Sequence, residues 1–192
     1  MKYLLSIFLL ILCSCSSEKE KTVAFYFDEE KFMSEWDIWK SQDIKNYSFT
    51  LKGELPYWDF PPLYPKAKAT IMTVYPAYPY ETKITVKNGF MDSFEYTPHE
   101  PISITPNPDV EPEYTTISDM YQKMYDDIKS HEKIYQNQTS DCIASWGYEI
   151  EYDKKFHYIT RYYPTWKIYS GCIFETTVHK ITASDFTIVN AD

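Results

Sequence analysis

Glycine is scarce in this chain, with four residues in 192. So few leave little material for phosphate-cradling loops, and neither a G-x-G-x-x-G nor a Walker pattern occurs. Basic charge is also short, with 19 Lys and Arg against 28 Asp and Glu and a net charge of −9. That balance excludes a nucleic-acid partner and electrostatic docking on anionic lipid, both of which need a basic footprint. The four histidines, His99, His131, His157 and His179, form no H-E-x-x-H or other metal-ligand spacing, and there is no G-x-S-x-G elbow. Cysteine offers no C-x-x-C and no Cys/His pair at ligand distance, so neither a metal nor a cofactor is expected.

A long apolar run is missing too. Tyr3 to Leu12 follows Met1-Lys2 and holds one hydroxyl and no charge. As a helix it would cover about 15 Å, half of a ~30 Å hydrocarbon core. The run therefore has the proportions of a signal-peptide h-region rather than a membrane span. It closes on Leu12-Cys13-Ser14-Cys15, which resembles the bacterial lipobox. That resemblance implies residues 1–14 as a lipoprotein signal peptide and Cys15 as the lipidated mature N-terminus. Two or three acyl chains would then hold the protein to the bilayer without spanning it. Residues 15–24 read as a polar tether, and residues 25–192 as one domain. Ser16 after the cysteine leans, by lipoprotein sorting rules, toward the outer membrane. Loss of Lys2 with the signal peptide leaves 18 basic residues against 28 acidic ones, a net charge of −10.

Aromatic residues are abundant: 19 Tyr, 11 Phe and 5 Trp. Besides Cys15, the mature chain keeps Cys142 and Cys172, which in an exported protein suggest a disulfide. Two independent buried thiols are the alternative.

From Asp28 to Gln42, early acids and Phe32, Trp36 and Trp39 on one stripe predict an amphipathic helix with that stripe in the core. Residues 46–51 alternate as a strand, and residues 69–75 read as another. Asn88-Gly89 predicts a type I′ hairpin between Thr82 and Tyr96. A proline-rich connection runs from Thr97 to Glu113. Thr116-x-x-Asp119 then resembles a capping box opening a second helix, with Ile117, Met120, Tyr121, Met124 and Ile128 as its apolar stripe. Strands are expected at 146–152, 157–163, 166–169, 173–180 and 185–189. The order is helix then strands, twice over. The fold class expected is α+β, an antiparallel sheet with two helices packed on one face, as a possible duplicated α-β-β-β unit.

Trp36-x-x-Trp39, Ile44-x-x-Tyr47-x-Phe49, Val86-Lys-Asn88-Gly89, Thr116-Ile-Ser-Asp-Met-Tyr121 and Tyr152-Asp153 through Tyr158 together resemble an uncharacterised family of small exported bacterial lipoproteins. The similarity covers most of residues 32–162. The chain lacks the close cysteine pair that the family often carries after its first strand, and has Phe156-His157-Tyr158 where a Gly-Tyr-Pro turn is usual. The resemblance implies a class and no activity.

The chemistry-bearing residues point weakly to catalysis. Asp126-Asp127 reads as a solvated pair on the second helix, and Glu149 and Glu151 share the outward face of one strand. The expectation is a non-enzymatic binding or structural module of the cell envelope. Its candidate contacts are the aromatic-proline loops carrying Tyr57, Trp58, Tyr75, Tyr78 and Tyr80. Such rings could hold an envelope protein or stack on a glycan, or fold back to cap the sheet. A hydrolase using His157 with a nearby acid is a further alternative.

Overall fold

A computed structural model describes residues 22–54, 80–98, 111–136, 138–171 and 180–190. The fold is α+β. Its described elements run β1 (Ala24–Tyr26), α1 (Glu29–Ser41), β2 (Tyr47–Glu54), β3 (Tyr80–Lys87), β4 (Phe90–Pro98), α2 (Ile117–Tyr135), β5 (Ile143–Tyr152), β6 (Ile159–Ile168) and β7 (Lys180–Ile188). The strands form one seven-stranded sheet in the order β1-β5-β6-β7-β2-β3-β4. Every pairing is antiparallel except β1 with β5.

Both helices begin where their caps dictate. Asp28 Oδ1 accepts from Lys31 N at 3.0 Å, with Glu29 and Glu30 in the first turn of α1. Thr116 Oγ1 accepts from Asp119 N at 3.0 Å, and Asp119 Oδ2 reaches back to Thr115 N at 2.9 Å. The reciprocal capping bond thus lands one residue earlier than the sequence pattern implies. Tyr47 Oη completes the start of α2 by accepting from Ile117 N at 3.0 Å.

The two apolar stripes do become core. Phe32 and Trp39 are buried with Ile117, Met120, Tyr121, Met124 and Ile128, while Trp36 packs at the edge of the same cluster. The sheet adds Tyr47, Phe49 and Leu51 from β2, Ile84 and Val86 from β3, Ile159 and Tyr162 from β6, and Ile181 and Ala183 from β7. Alternation puts the intervening residues on the other face: Ser48, Thr50, Lys52, Lys83, Arg161, Tyr163 and Glu149. Trp36 lies flat on Tyr121, 5.6 Å between centroids and 3° between planes, and Trp39 Nε1 donates to Ser118 Oγ at 3.1 Å. The helices are therefore joined to each other as well as to the sheet.

Three strands differ from the sequence reading. Residues 159–168 form one strand and not two, because Pro164 lies beyond Arg161 and Tyr162, the two positions at which β6 pairs with β7. At that point the missing N–H breaks no bond to β7. Strand β7 likewise runs unbroken from Lys180 to Ile188, absorbing Asp185 at φ 54° as a bulge that shifts the register between Ser48 and Thr50. Strand β1, unexpected from sequence, pairs Ala24, Phe25 and Tyr26 with Ser145, Trp146 and Gly147. Val23 just before it is buried, so packed structure lies within the stretch read as tether. The hairpin at Asn88-Gly89 is as expected, with φ of 54° and 83°. The strand expected at 69–75 lies outside the described residues, as does that at 173–180 apart from Lys180.

Candidate functional site

The outer edge of the sheet beside β5 carries a small cleft. It is lined by Phe27, Asp28 and Lys31 from the β1–α1 junction and by Tyr148, Ile150 and Tyr152 from β5, and encloses about 130 Å³. The cleft exists because β1 is short. Its last pairing is Tyr26 with Gly147, after which the chain turns into α1 and leaves the alternate side chains of β5 facing an open corner. Phe27 is held by Phe32 at 5.5 Å, and Lys31 Nζ stands 5.5 Å over the Tyr152 ring.

Behind this wall lies a polar network joining α2 to the sheet. Tyr148 Oη and His131 Nδ1 share a 2.5 Å hydrogen bond, Asp127 Oδ2 is 3.5 Å from the same nitrogen, and Tyr162 Oη donates to Asp127 Oδ2 at 2.6 Å. Hydrogen bonding to Asp127 raises the His131 imidazole above its ordinary range, against the opposing effect of burial. Burial also opposes the Asp127 charge, but hydrogen bonds from His131 and Tyr162 outweigh it and hold the carboxyl low. Burial drives both phenols up, so Tyr148 and Tyr162 are neutral at any physiological pH. Asp127 is exposed, as the sequence reading has it, but it also accepts the Tyr162 hydroxyl and faces His131, so it is tied into the network rather than simply solvated. Asp126, accepting from Gln122 Nε2 at 3.0 Å, is exposed as expected.

A second network fixes the β5–β6 turn. Asp153 Oδ1 accepts from Lys155 N and Phe156 N at 2.8 and 2.6 Å, and His157 adopts a φ of 58°. His157 Nδ1 meets Glu35 Oε2 at 2.6 Å, its carbonyl accepts from Tyr121 Oη at 2.5 Å, and Gln42 Nε2 donates to Phe156 O at 2.8 Å. Here α1 and α2 together grip one turn. Among the described residues neither His131 nor His157 has a Ser, Thr or Cys side chain as a hydrogen-bond partner. No three His, Cys, Asp or Glu among them converge at metal-holding distance.

Of the residues singled out from sequence, Cys15, Tyr57, Trp58, Tyr75, Tyr78 and Cys172 lie outside the described residues, as do His99 and His179. Tyr80 opens β3 with its backbone opposite Pro98. Cys142 is disulfide-bonded. Glu149 and Glu151 are both exposed on one sheet face, and Glu151 Oε1 accepts from Arg161 Nη1 at 2.8 Å. Sequence reasoning missed the cleft altogether. The alternation of Tyr148, Ile150 and Tyr152 marks an apolar face, but only the sheet order shows that this face ends at an open edge. The i,i+4 spacing of Asp127 and His131 was a usable signal for the network behind it.

No protein-family model, curated protein or solved structure matches this chain.

Proposed function

We propose that this chain is a cell-envelope lipoprotein whose domain is a non-enzymatic binding or structural module. The observation that carries the reading is the use made of its polar chemistry. His131 and His157 are each committed to an acid and to a joint between elements, at 3.5 and 2.6 Å from Asp127 and Glu35, with no described nucleophile beside them. An acid–base pair that only fastens a helix to a sheet has no reacting atom to serve. The cleft beside β5 is, by contrast, a small open corner lined by both polar and apolar side chains.

On this reading Cys15 carries the lipid, residues 15–24 form the tether, and the outer membrane is the site of attachment. The aromatic-proline segments with Tyr57, Trp58, Tyr75 and Tyr78, together with Tyr80 at the start of β3, remain candidate contact surfaces for an envelope protein, with glycan binding as the alternative. Cys142 pairs with Cys172. In support, Tyr169 N donates to Cys142 O at 2.8 Å, bringing the start of β5 close in sequence to Cys172.

On the same reading the two helices share one face of the sheet and the domain is a duplicated α-β-β-β unit. Supporting this, Tyr47 of β2 meets Trp39 of α1 and Ile117 of α2, and Tyr162 of β6 meets Asp127. The order α1-β2-β3-β4 followed by α2-β5-β6-β7 supports the duplication.

The experiment is cross-linking of the full lipid-anchored chain in its native envelope. A partner recovered in near-stoichiometric amount supports a binding module. The hydrolase alternative draws on the 2.6 Å approach of His157 to Glu35. It requires a hydrolytic activity that His157→Asn abolishes in a chain that still folds, and such an activity would overturn the present reading.

A further inference from the structure

We propose that the free edge of β5 takes an extended peptide from a partner protein as an added strand, one whose residues alternate basic and apolar. This names the class of partner for the binding-module reading and rests on it. Strand β1 occupies β5 only from Ser145 to Gly147. Among the described residues, Tyr148 to Tyr152 have a strand on the β6 side alone. Backbone N–H and C=O groups on that edge form a template that an incoming strand satisfies.

The two faces of this edge define what the strand must carry. On the core side, Tyr148, Ile150 and Tyr152 open into the cleft of about 130 Å³ under Phe27, which has room for one side chain. One aliphatic side chain of an added strand would point there. Its two flanking residues would point to the opposite face, beside Glu149 and Glu151, both exposed. Glu151 is shared with Arg161, whereas Glu149 has no ion pair among the described residues. Opposite charges across adjacent strands attract and like charges repel. Lys or Arg therefore suits the flanking positions.

The same charges disfavour a second copy of this chain. Two β5 edges meeting antiparallel about Ile150 would set Glu149 against the other copy's Glu151. At the rim, Asp28 and Lys31 offset each other, and Lys31 is drawn over the Tyr152 ring.

The test uses the full lipid-anchored chain in detergent micelles and three probe peptides: acetyl-TKVKVKT-amide, its acidic counterpart acetyl-TEVEVET-amide, and acetyl-TKSKSKT-amide. Amide hydrogen exchange is followed along β5. The proposal predicts slowed exchange over residues 148–152 with the first peptide, none with the acidic one, and much less with the serine one. Glu149→Lys, an exposed change checked by an unaltered melting temperature, should weaken the first peptide about five- to tenfold, and Glu149→Gln by less. Equal protection by basic and acidic peptides, or protection elsewhere in the chain, overturns the proposal. If no peptide protects β5 while native cross-linking still yields a stoichiometric partner, the edge is not the site and the module reading stands. If both fail, both readings fail.

Discussion

Gly147 stands where the fold allows no side chain. A Cβ placed there would lie 2.7 Å from Tyr26 O and 2.9 Å from Tyr26 Cβ. The first of these is backbone, so Gly147→Ala cannot be accommodated by a rotamer change. Strand β1 must move outward by several tenths of an ångström, straining its three parallel pairings with β5 and the contact of Phe25 with Tyr148. Overpacking of this kind costs about 1–3 kcal/mol. Loosening β1 also exposes part of Val23, 5% accessible, and of Phe25. A destabilisation of about 2 kcal/mol corresponds to a fall of roughly 4–8 °C in melting temperature for a domain of this size. The assay is thermal unfolding combined with amide exchange. Exchange at Phe25 and Tyr26 should rise well before that in β2 and β3. Gly89→Ala is the contrasting variant, since its added Cβ meets nothing within 4 Å and the cost comes only from φ at 83°. A Gly147→Ala protein that melts with the wild type and keeps β1 protected would refute the reasoning.

Further outcomes can be stated together. Thr82 is fully buried and its hydroxyl has no hydrogen-bond partner among the described residues, so Thr82→Val should raise unfolding stability by about 1 kcal/mol in urea titration; a loss would show a bond unaccounted for. Tyr47→Phe removes the acceptor of the buried Ile117 N–H and should cost about 1–2 kcal/mol, seen as a lower urea midpoint with unchanged slope. The raised His131 pKa stabilises the folded state fully below the reference value of 6.5, and that contribution disappears as pH rises through the higher folded value. The lowered Asp127 pKa acts above 3.8 and is lost as pH falls through the folded value. The stability gap between wild type and His131→Gln should therefore be wider at about pH 6 than at about pH 9, measured by urea midpoints. A gap independent of pH would contradict the Asp127–His131 coupling.

Local periodicity made part of this fold legible. Phe32 and Trp39, and the five-residue stripe from Ile117 to Ile128, follow helical spacing, and a stripe of that kind needs only to be buried somewhere. Asn88-Gly89 specifies its own turn. Pro164 misled, because it breaks a strand in isolation but is tolerated beyond the positions where β6 pairs with β7, and the bulge at Asp185 joins residues 181–184 to the strand expected from 185 onward. Strand β1 is three residues long, too short to show a period, and exists only through its pairing with β5. The cleft follows from that pairing and from where it stops, so it depends on residues more than a hundred positions apart. The same holds for the His131 network. Asp127 and His131 are neighbours on one helix and could be read together, but Tyr148 and Tyr162 reach them from two strands.

Attachment to a membrane through the N-terminus is the central proposal for this domain. Intact-mass analysis of the mature chain isolated from native membranes tests it most directly. The account predicts an N-terminus at Cys15 bearing a diacylglyceryl group, and loss of membrane attachment in Cys15→Ala. A chain that retains Met1, or one cleaved elsewhere and free of lipid, would contradict it.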